Sequence, residues 1–477
     1  MNNIINKLKK DTNNNDNIIY RKKRLLLKEI YIIYNETLSS SSSISDFIIR
    51  SLNNIYIPTY NNIINNIANF KYKELNTYKD LTYYLNSGFT IIIYSKNKYI
   101  ALETRKDLGR SISTPITENT SRGALDSFTE NIETNIGLIK RRIKSNDLWI
   151  KSYRIGKYTD TSVSLLYIKS IAKEKLVNDV DILLKKINID GIIASGTIRN
   201  LIEKENKNNF PNTMSAEKPY TAVKYLLEGN VVILTDNDPF ALILPTNIND
   251  YFLSEEDDFN KSINISLTRI IRYITFFITL LTPGIYIAIT TYNQEIIPTE
   301  LLISIAAGRE NVPFSTFIEA LLMMISFEIL RESDLKIPSF ASSAISIVGA
   351  LILGEAAVSA GIVSPIMIII IAITSISALI FTEPEFINAL RVYRFLYMIG
   401  GALFGIHGIL LVFIFMIINL SSYDFLGYPY LSPFAPPITA NLTDSIIKFP
   451  TINRKKRSHL LSHNITKNKS GGPYEEN

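Results

Sequence analysis

Charge is spread unevenly along this chain, and that limits what it can fold into more than any other feature. Residues 273–420 hold 15 charged side chains, 10 acidic and 5 basic, which is about one position in ten against about one in four elsewhere. A helix needs about 20 apolar residues to cross the hydrocarbon core of a bilayer. Residues 273–292 supply one uncharged stretch of that length and residues 395–422 supply another. Residues 340–381 carry a single charge, Glu355, and are long enough for two passes with a turn near 358–361. Four crossings are therefore expected. Residues 311–334, interrupted by Glu319 and Glu328, read as a helix lying in the interface or packed inside the bundle. A crossing there would raise the count to five.

The borders of the apolar region set the expected orientation. Lys261, Arg269 and Arg272 precede the first stretch, and Arg454, Lys455, Lys456 and Arg457 follow the last. The positive-inside rule then puts both termini in the cytoplasm, in agreement with an even number of passes. The net charge is +6, with the basic excess outside the apolar region. That favours contact with anionic membrane lipids, whereas nucleic-acid binding would leave the apolar stretches unexplained. Residues 1–16 are polar and lack an apolar core segment, so no cleavable signal peptide is expected.

Cysteine is absent and histidine occurs three times, at 407, 459 and 463. Disulfide scaffolds, thiolate metal sites and cysteine nucleophiles are excluded, and a histidine metal centre or triad has almost no material. Gly349 and Gly354 have phosphate-loop spacing, but Glu355 and Ala356 follow where Lys and Ser/Thr are needed. Neither an enzyme nor a cofactor is expected.

The N-terminal half reads as a soluble α/β (α+β) region of two lobes followed by an α-helical transmembrane bundle. The expected divisions are a flexible arm over 1–44 ending in the serine run 39–43, lobes over 45–155 and 156–260, and the membrane domain over 261–422. A Pro-rich segment over 423–450 and a basic cytoplasmic tail over 451–477 complete the chain. Residues 90–94 with 99–102, and 231–235 with 240–244, read as hairpins; 149–155, 162–168 and 191–194 read as further strands. Phe128, Ile132, Ile136, Ile139 and Ile143 make one helical stripe, with Ser127 and Glu130 as a capping box. A second amphipathic helix covers 171–187. Lys140, Arg141, Arg142 and Lys144 follow the first stripe, either complementing the negative end of the helix or docking on a membrane surface.

Four carboxylates fall at or near membrane depth: Glu300, Glu319, Glu328 and Glu355. Such groups face a bundle interior or a water-filled cavity, because an ionised carboxylate at mid-bilayer costs about 2.5–3.5 kcal/mol. Glu355 reads either as a cation-attracting group lining a pore or as a helix-end carboxylate at the lipid–water boundary. Ser343, Ser346, Ala350 and Gly354 recur every three or four residues, a pattern that suits close helix packing or the wall of a narrow aqueous path. Gly349 belongs to the packing set, as do Gly401 and Gly405, which form a GxxxG pair beside Gly400 and Gly408. His407 reads as a hydrogen-bonded packing residue.

Several blocks together resemble the A subunit of the GerA-type germinant receptors of endospore-forming bacteria. They are Phe128-Thr129-Glu130-Asn131 running on to Arg141-Arg142-Ile143, Leu227-Glu228-Gly229-Asn230 with Asp238-Pro239-Phe240-Ala241, and Pro298-Thr299-Glu300-Leu301. Phe327-Glu328-Ile329-Leu330-Arg331-Glu332, Ser346-Ile347-Val348-Gly349-Ala350 and Gly427-Tyr428-Pro429-Tyr430 follow in the same order, so the likeness is collinear over roughly 45–450. Met323-Met324 departs from the family pattern, and so does Ala216-Glu217-Lys218-Pro219-Tyr220. The Asn- and Ile-rich usage suits a low-GC, clostridial-type spore former. The resemblance implies a non-enzymatic receptor subunit in the spore inner membrane, with a transporter-like B subunit and a lipoprotein C subunit as partners. It also implies a homo-oligomer that forms or gates an ion-release path. A sporulation-specific paralogue that modulates germination, and an ion-coupled transporter, stand as alternatives; the second lacks the internal repeat such folds show.

Overall fold

A computed structural model describes residues 2–12, 17–25, 29–55, 59–67, 71–95, 98–106, 115, 118, 123–203, 209–334, 354–438, 445–449, 457 and 460–463 of the 477-residue chain. They divide into an α/β unit, residues 1–206, 212–246 and 451–477, and a helical unit, residues 207–211 and 247–450.

The α/β unit contains two five-stranded antiparallel sheets. The first is built from β1 (Ile18–Arg24), β2 (Glu29–Asn35), β3 (Tyr72–Leu75), β4 (Phe89–Ser95) and β5 (Lys98–Glu103), in the order β1-β2-β4-β5-β3. Both faces are covered. Ile30, Ile32, Ile92 and Ile100 pack on Ile44, Ile48, Leu52 and Ile63, while Ile33, Ile91, Ile93 and Ala101 pack on Ile5, Leu8, Leu81 and Leu85. That two-sided burial is why β4 is an unbroken apolar run instead of an alternating one.

The second sheet contains β6 (Leu148–Ile155), β7 (Thr161–Ile168), β8 (Met214–Ala216), β9 (Val231–Thr235) and β10 (Ala241–Leu244), in the order β6-β7-β9-β10-β8. On it lie the helices Ile132–Arg142 and Pro219–Glu228, whose Ile136, Ile139, Ala222 and Leu226 meet Leu166, Val232, Leu234 and Ile243. Both hairpins read from sequence form, with Ile93 opposite Tyr99 and Leu242 opposite Ile233.

Several expectations are corrected. The first 44 residues are not a flexible arm: Asn2–Asp11 is a helix, and β1 and β2 belong to the first sheet, with β2 paired to β4. The lysines and arginines of β1 suggested solvation, yet they suit an edge strand, where charge blocks pairing with another chain. The serine run caps and opens a helical turn, the Ser40 hydroxyl accepting from the Ser43 N–H. A lobe boundary at 155/156 would cut the β6–β7 hairpin, whose turn holds Gly156 at φ +102°. The first helix begins at Ile132 and is capped by Asn131, whose side chain accepts from the Thr134 N–H, in place of a Ser127–Glu130 box. Residues 191–194 are not a strand; the Ile192 N–H donates to the Thr159 hydroxyl and its carbonyl accepts from the Thr161 hydroxyl.

The C-terminal tail returns to the α/β unit. Ser462 forms an antiparallel bridge with Ala172, the His463 N–H donates to Ile171, and the Lys173 N–H donates to Leu461.

Among the described residues of the helical unit, two helices are long and apolar enough to cross a membrane, Ser262–Thr291 and Pro384–Ser421. The second is not one rod. At Gly405 the backbone takes φ +58° and ψ −141°, and the chain doubles back into two antiparallel arms, 384–404 and 406–421. A Cβ on Gly408 would collide with the Gly400 carbonyl. Residues 395–422 therefore make a tight helical hairpin and not the single crossing expected from their length.

Thr316–Asp334 and Pro365–Ala378 run antiparallel to Ser262–Thr291. Thr290 bonds Thr316 at one end, and Phe276 meets Phe381 at the other. The ambiguous segment 311–334 is thus a packed member of the bundle, burying Ala320, Met323 and Met324 on Tyr286, Ile287 and Met367. The turn expected near 358–361 lies at Gly361, φ +66°.

Candidate functional site

The candidate site is the polar interior of the helical unit, which has two levels. At the level of the Tyr286 ring, Glu319 is fully buried. Its Oε1 accepts from Arg309, at 3.2 Å from Nε and 3.0 Å from Nη2, and its Oε2 accepts from the Ser364 N–H at 3.0 Å. Geometry explains the donors. Arg309 closes the helix Thr299–Arg309, and Ser364 is the residue before Pro365, where the next helix opens with unsatisfied N–H groups. A carboxylate here satisfies a helix N-terminus and a guanidinium together.

Nine residues along the same helix lies the second level. Glu328 receives Arg331 Nε at 3.1 Å, Arg391 Nε at 2.8 Å and Arg394 Nη2 at 3.3 Å. Three guanidiniums meet one carboxylate, and Arg394 is itself buried.

Outside these two levels, a further charged cluster lies beside the start of the helix Ser262–Thr291. Asp257, fully buried, accepts from Arg269 Nε at 2.8 Å and from Arg272 Nη1 at 2.9 Å. The two arginines read as a membrane-facing basic border are instead consumed inside the protein, so they carry no orientation signal.

The remaining expected residues fall elsewhere. Glu300 is exposed in the first turn of its helix, and Glu355 is exposed in a helical segment whose described residues are 354–359, close to the end marked by Ser364. Neither joins Glu319 or Glu328. Ser343, Ser346 and Gly349 lie outside the described residues. Gly354 is buried, facing Ile368. Gly401 packs on the Gly284 backbone, and Gly405 sits against Tyr292 and Asn293 at the hairpin tip, where the Tyr292 hydroxyl donates to the Leu403 carbonyl at 3.1 Å. His407, expected as a packing residue, is exposed just beyond the tip because the chain reverses there.

Sequence reading missed Arg309, Arg391, Arg394, Ser364 and Asp257. A signal existed for the arginines: a carboxylate inside an apolar run requires a cation nearby. Which cation answers which carboxylate is set by helix packing across more than 60 positions in the case of Glu328 and Arg394.

Among the described residues no group of histidines and carboxylates could hold a metal ion. What the interior can do chemically is hold fixed charge in an apolar surrounding, where electrostatic interactions are much stronger than in water.

A protein-family model described as the Bacillus/Clostridium GerA spore germination protein matches residues 6–460. The chain is 42% identical over 355 residues to spore germination protein KA of Bacillus subtilis (strain 168), covering 74% of this chain and 65% of that protein's length. It is 38% identical over 368 residues to the uncharacterized membrane protein YfkQ of the same organism, covering 77% and 71%. Against spore germination protein A1, also of Bacillus subtilis (strain 168), it is 35% identical over 374 residues, covering 78% and 77%. Among solved structures, the N-terminal domain of the A subunit of the Bacillus megaterium spore germinant receptor GerK3 is 28% identical, with a TM-score of 0.37 over 50% of this chain and 92% of that one.

Proposed function

This chain belongs to the GerA family of Bacillus/Clostridium spore germination proteins, and from that premise we propose that it is the A-type subunit of a nutrient germinant receptor in the spore inner membrane. Copies of it assemble around a path through which ions leave the spore when nutrient is sensed. A transporter-like B subunit and a lipoprotein C subunit complete the receptor.

One observation carries the membrane reading. The helical unit is inverted relative to a water-soluble one: Ile369, Ile376, Leu403, Phe404, Leu411 and Ile418 are exposed, while Glu319, Asp257, Arg269 and Arg394 are buried. Continuous exposed apolar surface is unfavourable in water and favourable against acyl chains, and paired charges turned inward are what lipid requires. The tail supports an even number of passes, because the chain leaves the α/β unit at residue 246 and is bonded to it again at Arg457, Leu461 and His463. Both termini then lie on one side, the cytoplasmic side.

Glu355 takes the mouth of the path in this proposal. Its exposure close to one end of the bundle suits a carboxylate shared between copies, where a ring of like charges attracts cations. Ser343 and Ser346 are candidates for the wall below it, and Gly354 for the packing of the helix that bears it.

The test is made in spores whose only copy of this subunit carries Glu355→Gln. Slowed potassium release after nutrient, at a normal level of the protein in the membrane, is the expected result. Release indistinguishable from that of the parent removes Glu355 from the path.

A further inference from the structure

The basic run at the end of the helix Ile132–Arg142 splits into three fates. Arg142 reaches both Asp126 oxygens at 2.6 Å and the Leu138 carbonyl at 3.2 Å, so it is a structural pair. Arg141 and Lys144 point into a cavity of about 500 Å3 within the α/β unit, lined also by Arg105, Lys106, Asn86 and Ser87. Lys140 turns inward and is buried.

The cavity lies between the two sheets. Arg105 and Lys106 follow β5, and Asn86 and Ser87 close the helix Tyr78–Asn86 of the first sheet's lobe; Arg141 and Lys144 come from the second. Asn86 donates to Asn146 at 2.6 Å across the junction, and the Lys144 ammonium lies 5.7 Å from the Tyr83 ring centroid. Of the four cations, Arg105 is held by Glu103. Lys106, Arg141 and Lys144 have no carboxylate partner among the described residues.

Behind this cleft Lys140 occupies a chamber of about 10 Å3, enough for no more than about one water. Asn86 walls both spaces. The Lys140 ammonium has two long contacts, 3.4 Å to Asn35 Oδ1 and 3.5 Å to Thr37 Oγ1, and among the described residues no other titratable side chain lines the chamber. Burial alone pushes its amine down to about 7.

Three converging unpaired cations repel one another, and a concave wall concentrates their field. A buried ammonium with only neutral oxygen contacts adds a standing cost. Both are relieved by one anion. We propose that this cleft binds a small, multiply charged anion bearing phosphate or carboxylate groups, with Lys106, Arg141 and Lys144 at its rim and Lys140 beneath it. The volume lies in the range of small-molecule sites. Such an anion draws a proton onto Lys140, so binding above neutrality consumes a proton.

Isothermal titration of the detergent-solubilised full chain with pyrophosphate, and separately with citrate, at constant ionic strength and pH 8, tests this. One saturable site is expected for at least one of the two anions. Arg141→Glu with Lys144→Glu should weaken it more than tenfold, and Lys140→Met should abolish the dependence of the binding enthalpy on buffer ionisation. Fluorescence of Trp149 and far-ultraviolet circular dichroism check that each variant is folded. Nanodiscs of phosphatidylglycerol against phosphatidylcholine separate a lipid headgroup from a free anion; phosphate-dependent occupancy of the cleft by the former, lost in the double variant, supports the same chemistry. No saturable binding to any of these probes, or binding that the double variant leaves unchanged, overturns the proposal.

Discussion

The side-chain amide of Asn419 donates to the hydroxyl of Tyr393 at 2.7 Å, although 26 residues separate them inside one apolar helical stretch. A straight helix would hold them about 39 Å apart. The bond exists because Gly405 reverses the chain, and the same reversal brings Tyr397 to Met416 and Gly400 to Gly408. The hairpin then lies along the helix Ser262–Thr291, with Phe386 on Phe276, Tyr397 and Gly401 on Gly284, and the tip on Tyr292.

Gly405→Ala should destabilise the helical unit by about 1–3 kcal/mol, the ordinary cost of holding a side chain in that backbone region. Gly408→Val should do more, since its Cβ meets the Gly400 backbone and the two arms must separate. Thermal unfolding in detergent reads both. A Gly408→Val protein with the parent's melting temperature and a native circular dichroism spectrum would mean that the arms do not touch at these glycines.

Glu319 is the other point of high leverage. Glu319→Ala leaves the Arg309 guanidinium and the Ser364 N–H facing an empty space, and removal of one partner from a buried pair costs about 3–5 kcal/mol. Arg309→Met combined with Glu319→Met should recover much of that loss. A double-mutant cycle by thermal unfolding checks it: if the two single changes simply add, the pair is not coupled and the burial of Glu319 has another cause.

Much of the α/β unit was legible because its signals are local. The stripe Ile132, Ile136, Ile139 follows from a period of 3.6, and β9 and β10 are short apolar runs bounded by the turn residues Asp236-Asn237-Asp238-Pro239; neither signal needs tertiary information. β1 was hidden by its own Lys22, Lys23 and Arg24, which say "solvated" equally of an edge strand and of a tail. The hairpin was hidden by length. An uncharged run of 28 residues, 395–422, fits one crossing so well that four glycines within nine positions read as a packing face and not as a turn. The distant partners of Glu328 could not be read, because Arg391 and Arg394 reach it only through the packing of two helices. In the same way, Arg269 and Arg272 looked like a membrane border until Asp257 stood between them.

Lys140 gives the α/β unit a stability that depends on pH. Its amine titrates near 7 when folded, against 10.5 for a lysine free in water, because burial disfavours the ammonium. Between those values the unfolded chain holds a proton that the folded chain has lost, so folding stability rises with pH through this window. The slope is about 1.4 kcal/mol per pH unit for one proton. Lys140→Met removes the dependence. Urea unfolding followed by the single tryptophan, Trp149 of β6, should show the variant more stable than the parent at pH 6.5 and the gap narrowing steadily towards pH 9. Parallel curves across that range would mean Lys140 keeps its charge in the fold.

The absence of cysteine from the whole chain makes the proposed topology directly measurable, since any thiol introduced is the only one. Lys22→Cys places it on the exposed edge of the first sheet, and Glu355→Cys places it on the helical segment near the bundle end marked by Ser364 and Arg309. In the helix Ser262–Thr291 that end corresponds to Thr290, and the opposite end to Phe276 and the Asp257 cluster. The first strand and the bonded tail belong to one unit, and the chain runs on from residue 246 of that unit through Asp257 into the start of that helix. A membrane-impermeant maleimide added to sealed, right-side-out vesicles should therefore modify Glu355→Cys and leave Lys22→Cys unreacted until detergent is added. Equal reaction of both thiols in sealed vesicles would put the two positions on one side, and the helical unit would then lie on the membrane instead of through it.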